Sequence, residues 1–440
     1  MSSTQERSPK SRRLLAAVLV ALAVISLATT AGLVFNSTVQ AKWSVNADSQ
    51  AIARNAMEAD WSDIGSWWTR PWIQHEMYYR PLASMLFFLQ GQVFGMNFQG
   101  YCIVSWIANT INVLLLCLLG ASLARGSDRV RIGVGVLAGL LFLWAKHPGG
   151  VDWSIARVTW GVMPWWPVQT DIFSLMFSLL SLLLLDRYLQ SRRRGLLVVA
   201  LASFVAALLF KEMALAVPLM VPALVWYRSR KDVLRLSAAY LGIGVIFYVV
   251  RSLAAPAASG LEYAGNFTFL QYAFYVANRL TSLLMAGELV PVVTSAGIIA
   301  IVIVALWRRL EWIWTGLIML LWLLGSAQLV GGNFALITIL DTWARIGTML
   351  LFWGGLVVLA LSKDRGVSLP LLVCVLVVFI PVVNRVGPHY WYWPLAIYAL
   401  LNASLLNRLR EIHHEGNDAL VFPLLPEPDP MDNETAATDE

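Results

Sequence analysis

Apolar runs of about twenty residues, separated by short basic clusters, recur along this chain of 440 residues. A helix needs about 20 mostly apolar residues to cross the hydrocarbon core of a bilayer. Hydrophobic residues make up 58% of the chain and charged residues 13%, so too little polar surface remains to cover a water-soluble globule of this length. The sequence therefore predicts an all-α polytopic membrane protein with the lipid bilayer as its surroundings.

The net charge of +6 reflects membrane orientation and does not predict nucleic-acid binding. Basic residues fall in short clusters between apolar runs, which is typical of cytoplasmic loops. The first apolar run, 14–35, follows a basic head and is long enough for an uncleaved membrane anchor. Counting crossings between the basic clusters predicts about twelve transmembrane helices, within a range of about 11 to 13. The clusters lie at 125–131, 187–194, 228–235, 308–309, 363–365 and 408–410.

This topology divides the chain into three parts. Residues 1–13 form a cytoplasmic N-terminus, 14–410 a transmembrane domain, and 411–440 an acidic tail that we expect to be flexible. Two outer loops are long, 36–100 and 251–288. In a bacterium such a multi-pass protein would lie in the plasma (inner) membrane, with these loops facing the periplasm or exterior.

Apolar stretches within the outer loops are predicted to lie at the membrane surface. Residues 81–94 are too short to span, and the tryptophans before them suit the water–lipid boundary, so we expect amphipathic interfacial helices in the first loop. The stretch 268–287 is long enough to cross, but a crossing there would place Arg308 and Arg309 outside. We therefore predict an interfacial or re-entrant helix at 268–287.

Lys211 and Glu212 interrupt the apolar stretch between two basic clusters and must lie at the outer tip of a hairpin. Each arm of about sixteen residues spans about 24 Å, so the pair should sit slightly below the outer surface. Adjacent residues on a helix point about 100° apart and pair poorly. We expect each of the two charges to have another partner.

Polar residues that could carry chemistry converge on the outer face in this topology. Ionisable groups at membrane depth are costly and are commonly functional, whereas those at the rim have topological or structural roles as the alternative. Nucleotide-binding, zinc-protease and serine-hydrolase motifs are absent from the sequence, and Cys102, Cys117 and Cys374 lie in apolar segments, as buried thiols do. The converging residues are Asp48, His75, Tyr78, Tyr79, Arg80, His147, Asp152, Arg157, Asp171, Lys211, Glu212, Arg251, Arg279, Arg345 and His389.

The order of these residues resembles the GT-C glycosyltransferases, and most closely the protein-mannosyltransferase type and its relatives with tetratricopeptide repeats. The resemblance covers roughly residues 14 to 230 of this chain. It is carried by Asp48 after the first span, Tyr79-Arg80-Pro81-Leu82, Phe94-Gly95, Tyr101, Asn112 with the leucines after it, His147-Pro148, Val151-Asp152-Trp153, Asp171, Phe210-Lys211-Glu212-Met213 and Pro218.

This resemblance implies a GT-C-like fold and an activity. The protein would transfer a sugar from a polyprenyl-phosphate donor to an acceptor hydroxyl of a glycan, lipid or protein on the extracytoplasmic side. The chain departs from the family pattern where Ala47 precedes Asp48, and where Cys102, Ser105 and Asn109 stand at positions that relatives fill with His, Asn and His. No tetratricopeptide repeat follows the last span.

Such a transfer needs a base for the acceptor proton and cations for the leaving phosphate. Asp48 is the predicted general base, because a carboxylate suffices when the proton is lost late in an oxocarbenium-like step. Arg80, Lys211 and Arg345 are the predicted phosphate ligands. For Arg80 the alternative is an arginine that anchors the chain among lipid headgroups beside Tyr78 and Tyr79.

Five further residues are assigned to substrate binding or orientation. Tyr79, His147, Asp152, Asp171 and Glu212 all belong to the outer set. His147 has the capping of its helix as an alternative role. Arginine and lysine can balance the phosphate, so no cofactor is required, although Asp48 or Glu212 could bind a divalent metal.

Two other classes of protein remain as alternatives. A lipid or polysaccharide transporter would also bury charges in a helical bundle, but it should show similar halves or paired broken helices, and the sequence shows no such duplication. A non-catalytic membrane subunit of an envelope glycan assembly complex is compatible with the later spans, which lack sharp motifs.

Overall fold

A computed structural model describes residues 9–35, 47–72, 78–143, 165–255, 366–378 and 392–415, and within these ranges the regular structure is entirely helical. Short 3₁₀ turns at Trp61–Trp68, Trp166–Val168, Glu212–Ala216 and Arg230–Asp232 connect the helices. The described α-helices are α1 Pro9–Phe35, α2 Ala47–Glu58, α3 Pro81–Phe94, α4 Phe98–Leu123, α5 Asp128–Leu143, α6 Gln169–Ser191, α7 Arg194–Phe210, α8 Val217–Arg228, α9 Val233–Ala254, α10 Ser368–Val378 and α11 Tyr392–Glu415.

Four helical segments in the described part are long and apolar enough to cross a membrane: Pro9–Ala31, Phe98–Leu123, Trp166–Ser191 and Arg230–Ala254. This agrees with the expected membrane character of the chain. The remaining crossings of the twelve-span topology stay a prediction. Residues 256–365, which include the interfacial or re-entrant helix predicted at 268–287, lie outside the described residues.

Small residues allow α4 and α5 to approach closely. A Cβ atom added at Gly135 would overlap the carbonyl oxygen of Cys117, and one at Gly120 would lie 3.2 Å from the Cα of Gly135. Within a membrane, helices associate through such close packing because lipid is as apolar as their side chains. Helices α4 and α6 also pack together, and α6 packs against α7, so α4 to α7 form the centre of the described bundle.

The basic clusters of the described helices meet at one end of the bundle, which we call the basic end. Arg228, at the end of α8, donates from Nε to Asp186 near the end of α6 over 2.7 Å. Arg192, just after α6, pairs with Asp232 before α9 at 2.5 Å. Arg125, after α4, donates to the Tyr227 hydroxyl at 3.2 Å. These ion pairs and hydrogen bonds place the three clusters at the same end of the bundle, and the side of the membrane that this end faces stays a prediction.

The chain turns back between α7 and α8, at the opposite end of α6. Lys211 follows α7 and contacts Asp171 in the first turn of α6, whereas Arg228 at the end of α8 reaches Asp186. Asp171 and Asp186 are fifteen helical positions apart, or about 22 Å at a rise of 1.5 Å per residue. The predicted hairpin is therefore present, with Lys211 and Glu212 at its tip.

The helices of the first outer loop are more buried than surface helices would be. In α3 one face is covered: Phe87 and Phe88 are fully buried, while Leu89 and Val93 are exposed. Helix α3 packs against α2, α4 and α7. The tryptophans divide in the same way, since Trp67 and Trp72 are buried and Trp61 and Trp68 exposed. The prediction of helices here is correct, but α3 is wedged into the bundle on one side.

Of two further sequence predictions, the structure confirms one and corrects the other. Cys102, Cys117 and Cys374 are free thiols and all are buried, as expected. Helix α11 continues to Glu415 and so includes 411–415, which had been assigned to the flexible tail.

Candidate functional site

Four charged side chains, which we call the four-charge cluster, meet at the tip of the α7–α8 hairpin. They are Arg80, Asp171, Lys211 and Glu212, and all four are buried. Arg80, immediately before α3, donates from Nε to Glu212 Oε2 at 3.0 Å and from Nη2 to Glu212 Oε1 at 2.6 Å. A two-pronged arginine–carboxylate pair of this kind fixes both side chains.

The second ion pair of the cluster joins Lys211 to Asp171. Lys211 Nζ lies 2.6 Å from Asp171 Oδ2. The backbone at Lys211 is extended, with φ −162° and ψ 140°, so the side chains of Lys211 and Glu212 leave the chain in different directions. Each therefore has a partner other than its neighbour, as predicted, but the reason is the extended backbone and not helical spacing.

Aromatic rings line the cluster on the Arg80 side. The guanidinium carbon of Arg80 lies 4.3 Å from the centre of the Tyr78 ring and 5.2 Å from that of Trp72. Tyr79 points elsewhere: its hydroxyl donates to the Trp68 carbonyl at 3.0 Å, and its ring packs against Phe247 of α9. Burial raises the pKa of the Tyr79 hydroxyl, which keeps it a neutral donor. Tyr79 thus ties the first outer loop to α9.

Unpaired polar atoms adjoin the cluster. Within the described residues, Asp171 Oδ1 is buried without a hydrogen-bond partner, as are Asn109 Nδ2 and Asn112 Oδ1 on α4. Tyr392 of α11 donates to Asn109 Oδ1 at 2.7 Å, and Asn112 Nδ2 donates both to Tyr392 and to the Ile172 carbonyl, each at 3.0 Å. Buried polar atoms normally have a hydrogen-bond partner, so these three atoms could bind either a water molecule or the hydroxyl groups of a ligand.

Asp48 differs from the cluster residues in its surroundings. It is exposed and lies in the first turn of α2, where a carboxylate is stabilised by the helix N-terminus. The other end of α2 packs closely on α3, since a Cβ atom added at Gly91 would lie 2.8 Å from the Cβ of Ala56. The helix that carries Asp48 is thereby fixed to the helix that begins beside Arg80.

Several predicted site residues lie outside the described residues. These are His147 and Asp152, assigned to substrate binding, and Arg345, assigned to the donor phosphate. His75, Arg157, Arg279 and His389 of the converging set lie there as well. Of the nine predicted site residues, Asp48, Tyr79, Arg80, Asp171, Lys211 and Glu212 are described, and four of these form the cluster.

The sequence did not single out several buried polar residues near the site. Gln90 of α3 donates to Gln169 Oε1 at 2.7 Å, and Gln169 donates to the Tyr101 carbonyl at 2.8 Å. The sequence also did not single out Tyr392, whose hydroxyl hydrogen-bonds to both Asn109 and Asn112 of α4. The available signal was an amide or phenol within an otherwise apolar run, where a polar group needs a partner.

No family model, curated protein or solved structure matches this chain. The resemblance to the GT-C glycosyltransferases therefore remains an expectation. What the chain does must be argued from the arrangement of its own residues.

The four-charge cluster is an ion-paired polar site with the rings of Tyr78 and Trp72 on one side, and this arrangement determines what it can bind. Arg80 and Lys211 can attract a phosphate, and Asp171 and Glu212 can accept hydrogen bonds from hydroxyl groups. Both Glu212 oxygens accept hydrogen bonds from Arg80, so a metal at Glu212 would have to compete with that pair. Among the described residues no group of three or more His, Cys, Asp or Glu side chains could hold a metal ion.

Proposed function

We propose that this protein is a membrane glycosyltransferase that passes a sugar from a polyprenyl-phosphate donor to an acceptor hydroxyl outside the cytoplasm. The observation that carries the proposal is the meeting of Arg80 and Lys211 in one buried cluster, although the first outer loop and the hairpin tip are distant in sequence. Two buried cations at the end of a helical bundle away from its basic loops suit the phosphate of a lipid-borne donor.

In the proposed reaction Asp48 takes the proton of the acceptor hydroxyl, and the acceptor oxygen forms a bond to the anomeric carbon. The bond from that carbon to the phosphate oxygen breaks. The prenyl phosphate leaves, and the electron pair of the broken bond stays on its oxygen. Asp48 is exposed in the first turn of α2, so an acceptor hydroxyl can approach its carboxylate.

The paired carboxylates have a defined task in this proposal. Glu212 orients the guanidinium of Arg80, and Asp171 orients the ammonium of Lys211, before the donor arrives. Preorganised charges stabilise a developing phosphate anion without further rearrangement. The unpaired Oδ1 of Asp171 then remains as an acceptor for a hydroxyl group of the sugar.

The experiment compares Asp48→Asn with Glu58→Gln, both expressed in cells from which the native gene is deleted. Glu58 is an exposed acid at the other end of the same helix, so its variant loses the same charge. We expect Asp48→Asn to abolish transfer to the acceptor while abundance and membrane insertion persist, and Glu58→Gln to transfer normally. Equal transfer by both variants would remove the base from the proposal.

A second candidate function is favoured by the complete pairing within the cluster. In a non-catalytic membrane subunit, the Arg80–Glu212 pair would only hold α3 against the hairpin tip. The double variant Arg80→Glu with Glu212→Arg retains an ion pair but moves the cation. We expect each single variant to lose envelope glycan. If the double variant restores the glycan, the structural role is favoured, and if the loss continues, donor binding is favoured.

A further inference from the structure

Arg251, in the last turn of α9, is a buried cation that differs from the other buried cations near the site. Its exposed fraction is 3%, comparable with 6% for Arg80 and 5% for Lys211. Its Nε atom is buried without a hydrogen-bond partner, and no ion pair formed within the described ranges includes it. Arg80 and Lys211, by contrast, each face a carboxylate.

A buried charge without a counter-charge is strongly disfavoured, since its hydration is lost and nothing replaces it. The C-terminus of α9 supplies about half a negative charge through the helix dipole, which offsets this cost only in part. Arg251 is therefore arranged for an anion that arrives from outside the described residues.

The position of Arg251 places that anion near the loop that leads into the four-charge cluster. Phe247 lies one helical turn before Arg251, on the same face of α9. Its ring centre is 6.1 Å from that of Tyr79, the residue directly before Arg80. The guanidinium of Arg251, which has no ion-pair partner among the described residues, thus lies one helical turn beyond Phe247, whose ring packs against Tyr79 in the loop before α3.

We infer that Arg251 binds the phosphate group of a ligand at this outer site, and on the proposed function that group is the phosphate of the prenyl-linked donor. The four-charge cluster is neutral overall, and Arg251 adds a positive charge that no carboxylate of the described residues offsets. Its planar guanidinium can contact two phosphate oxygens at once. The same chemistry would also accept free phosphate or a phospholipid headgroup, and the test separates these sources.

The test measures thermal unfolding of the purified full-length protein in detergent, with farnesyl phosphate, inorganic phosphate or phosphatidylglycerol added. We expect farnesyl phosphate to raise the midpoint for the wild type and to have no effect on Arg251→Gln. Arg54→Gln, which removes an exposed arginine from α2, is the matched control and should respond as the wild type does. The wild type could instead respond only to inorganic phosphate or only to phosphatidylglycerol. If Arg251→Gln abolishes that response, an anion binds at Arg251, but the prenyl donor is overturned as the source of the phosphate.

The ligand-free midpoint separates ligand binding from a structural role. Because the uncompensated charge costs stability, Arg251→Gln should unfold at a temperature equal to or above that of the wild type when no anion is added. A lower midpoint, an unfolded variant, or an undiminished response to every phosphate source would overturn the inference, as would a wild type that responds to none.

A transfer assay on the same proteins keeps this inference distinct from the proposed function. If the wild type binds farnesyl phosphate through Arg251 but transfers no sugar, the proposed function fails and the binding site stands. If the wild type transfers sugar and Arg251→Gln binds and transfers equally well, the binding site fails and the proposed function stands.

Discussion

Arg80 and Glu212 form a two-pronged ion pair, at 2.6 and 3.0 Å, between the start of α3 and the tip of the α7–α8 hairpin. The residues are separated by 132 positions in the sequence. Both side chains are largely withdrawn from solvent, so each depends on the other for compensation of its charge. This pair fixes the first outer loop on the transmembrane bundle.

Removal of one partner of this pair should destabilise the protein. In Glu212→Gln the Arg80 guanidinium remains buried without its carboxylate, and we expect a loss of about 3–5 kcal/mol in the free energy of unfolding. Thermal unfolding followed by size-exclusion chromatography measures the change. Glu58→Gln removes an exposed acid and should leave the midpoint unchanged. An equally small effect of both substitutions would show that the ion pair contributes little.

The Lys211–Asp171 pair should behave as a coupled unit. Lys211→Met and Asp171→Asn each leave one buried charge uncompensated, whereas the double variant leaves none. We therefore expect the double variant to be more stable than the sum of the single effects predicts, by about 1–3 kcal/mol. A double-mutant cycle on purified protein measures this coupling. Simple additivity would mean that the two charges do not interact in the folded protein.

Close packing of α4 on α5 should make Gly135 intolerant of a side chain. Leucine at 135 would collide with the Cys117 carbonyl, whereas leucine at 133, on the same helix, would meet open space. We expect Gly135→Leu to cost at least about 1–3 kcal/mol and to reduce the folded yield. Gly133→Leu is the control, and its folded yield should equal that of the wild type. Equal yields from both variants would contradict this packing.

The assignment of the basic end to the cytoplasm can be tested by chemical labelling. All three natural cysteines are buried, so a cysteine introduced at an exposed site reports its own accessibility. We expect Arg230→Cys, at the basic end, to react with a membrane-impermeant thiol reagent only after the membrane is opened. Glu58→Cys, in the first outer loop, should react in intact cells. The reverse pattern would invert the topology.

The four described segments that are long enough to cross a membrane could be predicted from the sequence because the length of an apolar run is a local property. The hairpin at Lys211 and Glu212 followed from two basic clusters and one charged interruption. The partners of these two residues could not be predicted, since Arg80 and Asp171 come from segments that only tertiary packing brings together. The sequence named all four residues but predicted Arg80 and Lys211 as phosphate ligands, with headgroup anchoring as the alternative for Arg80, and did not predict either ion pair. Their carboxylate partners were visible only in the fold.

The burial of Arg251 also could not be predicted from the sequence. The sequence placed it among the converging outer residues, but an arginine next to a long outer loop is commonly exposed. Its burial depends on how α9 turns toward Tyr79, a relation set by the packing of the Tyr79 and Phe247 rings. A buried arginine without a carboxylate can therefore be recognised only once the neighbouring helices are in place.

The most direct test of the central claim is mass spectrometry of polyprenyl-phosphate sugars extracted from cells that lack this gene. A transferase that consumes such a donor predicts that one sugar-bearing prenyl phosphate accumulates in these cells. Wild-type protein should clear the accumulated donor, and Asp48→Asn, produced at equal abundance, should not. Unchanged levels of every prenyl-phosphate sugar in the deletion cells, or clearance by Asp48→Asn, would contradict the account.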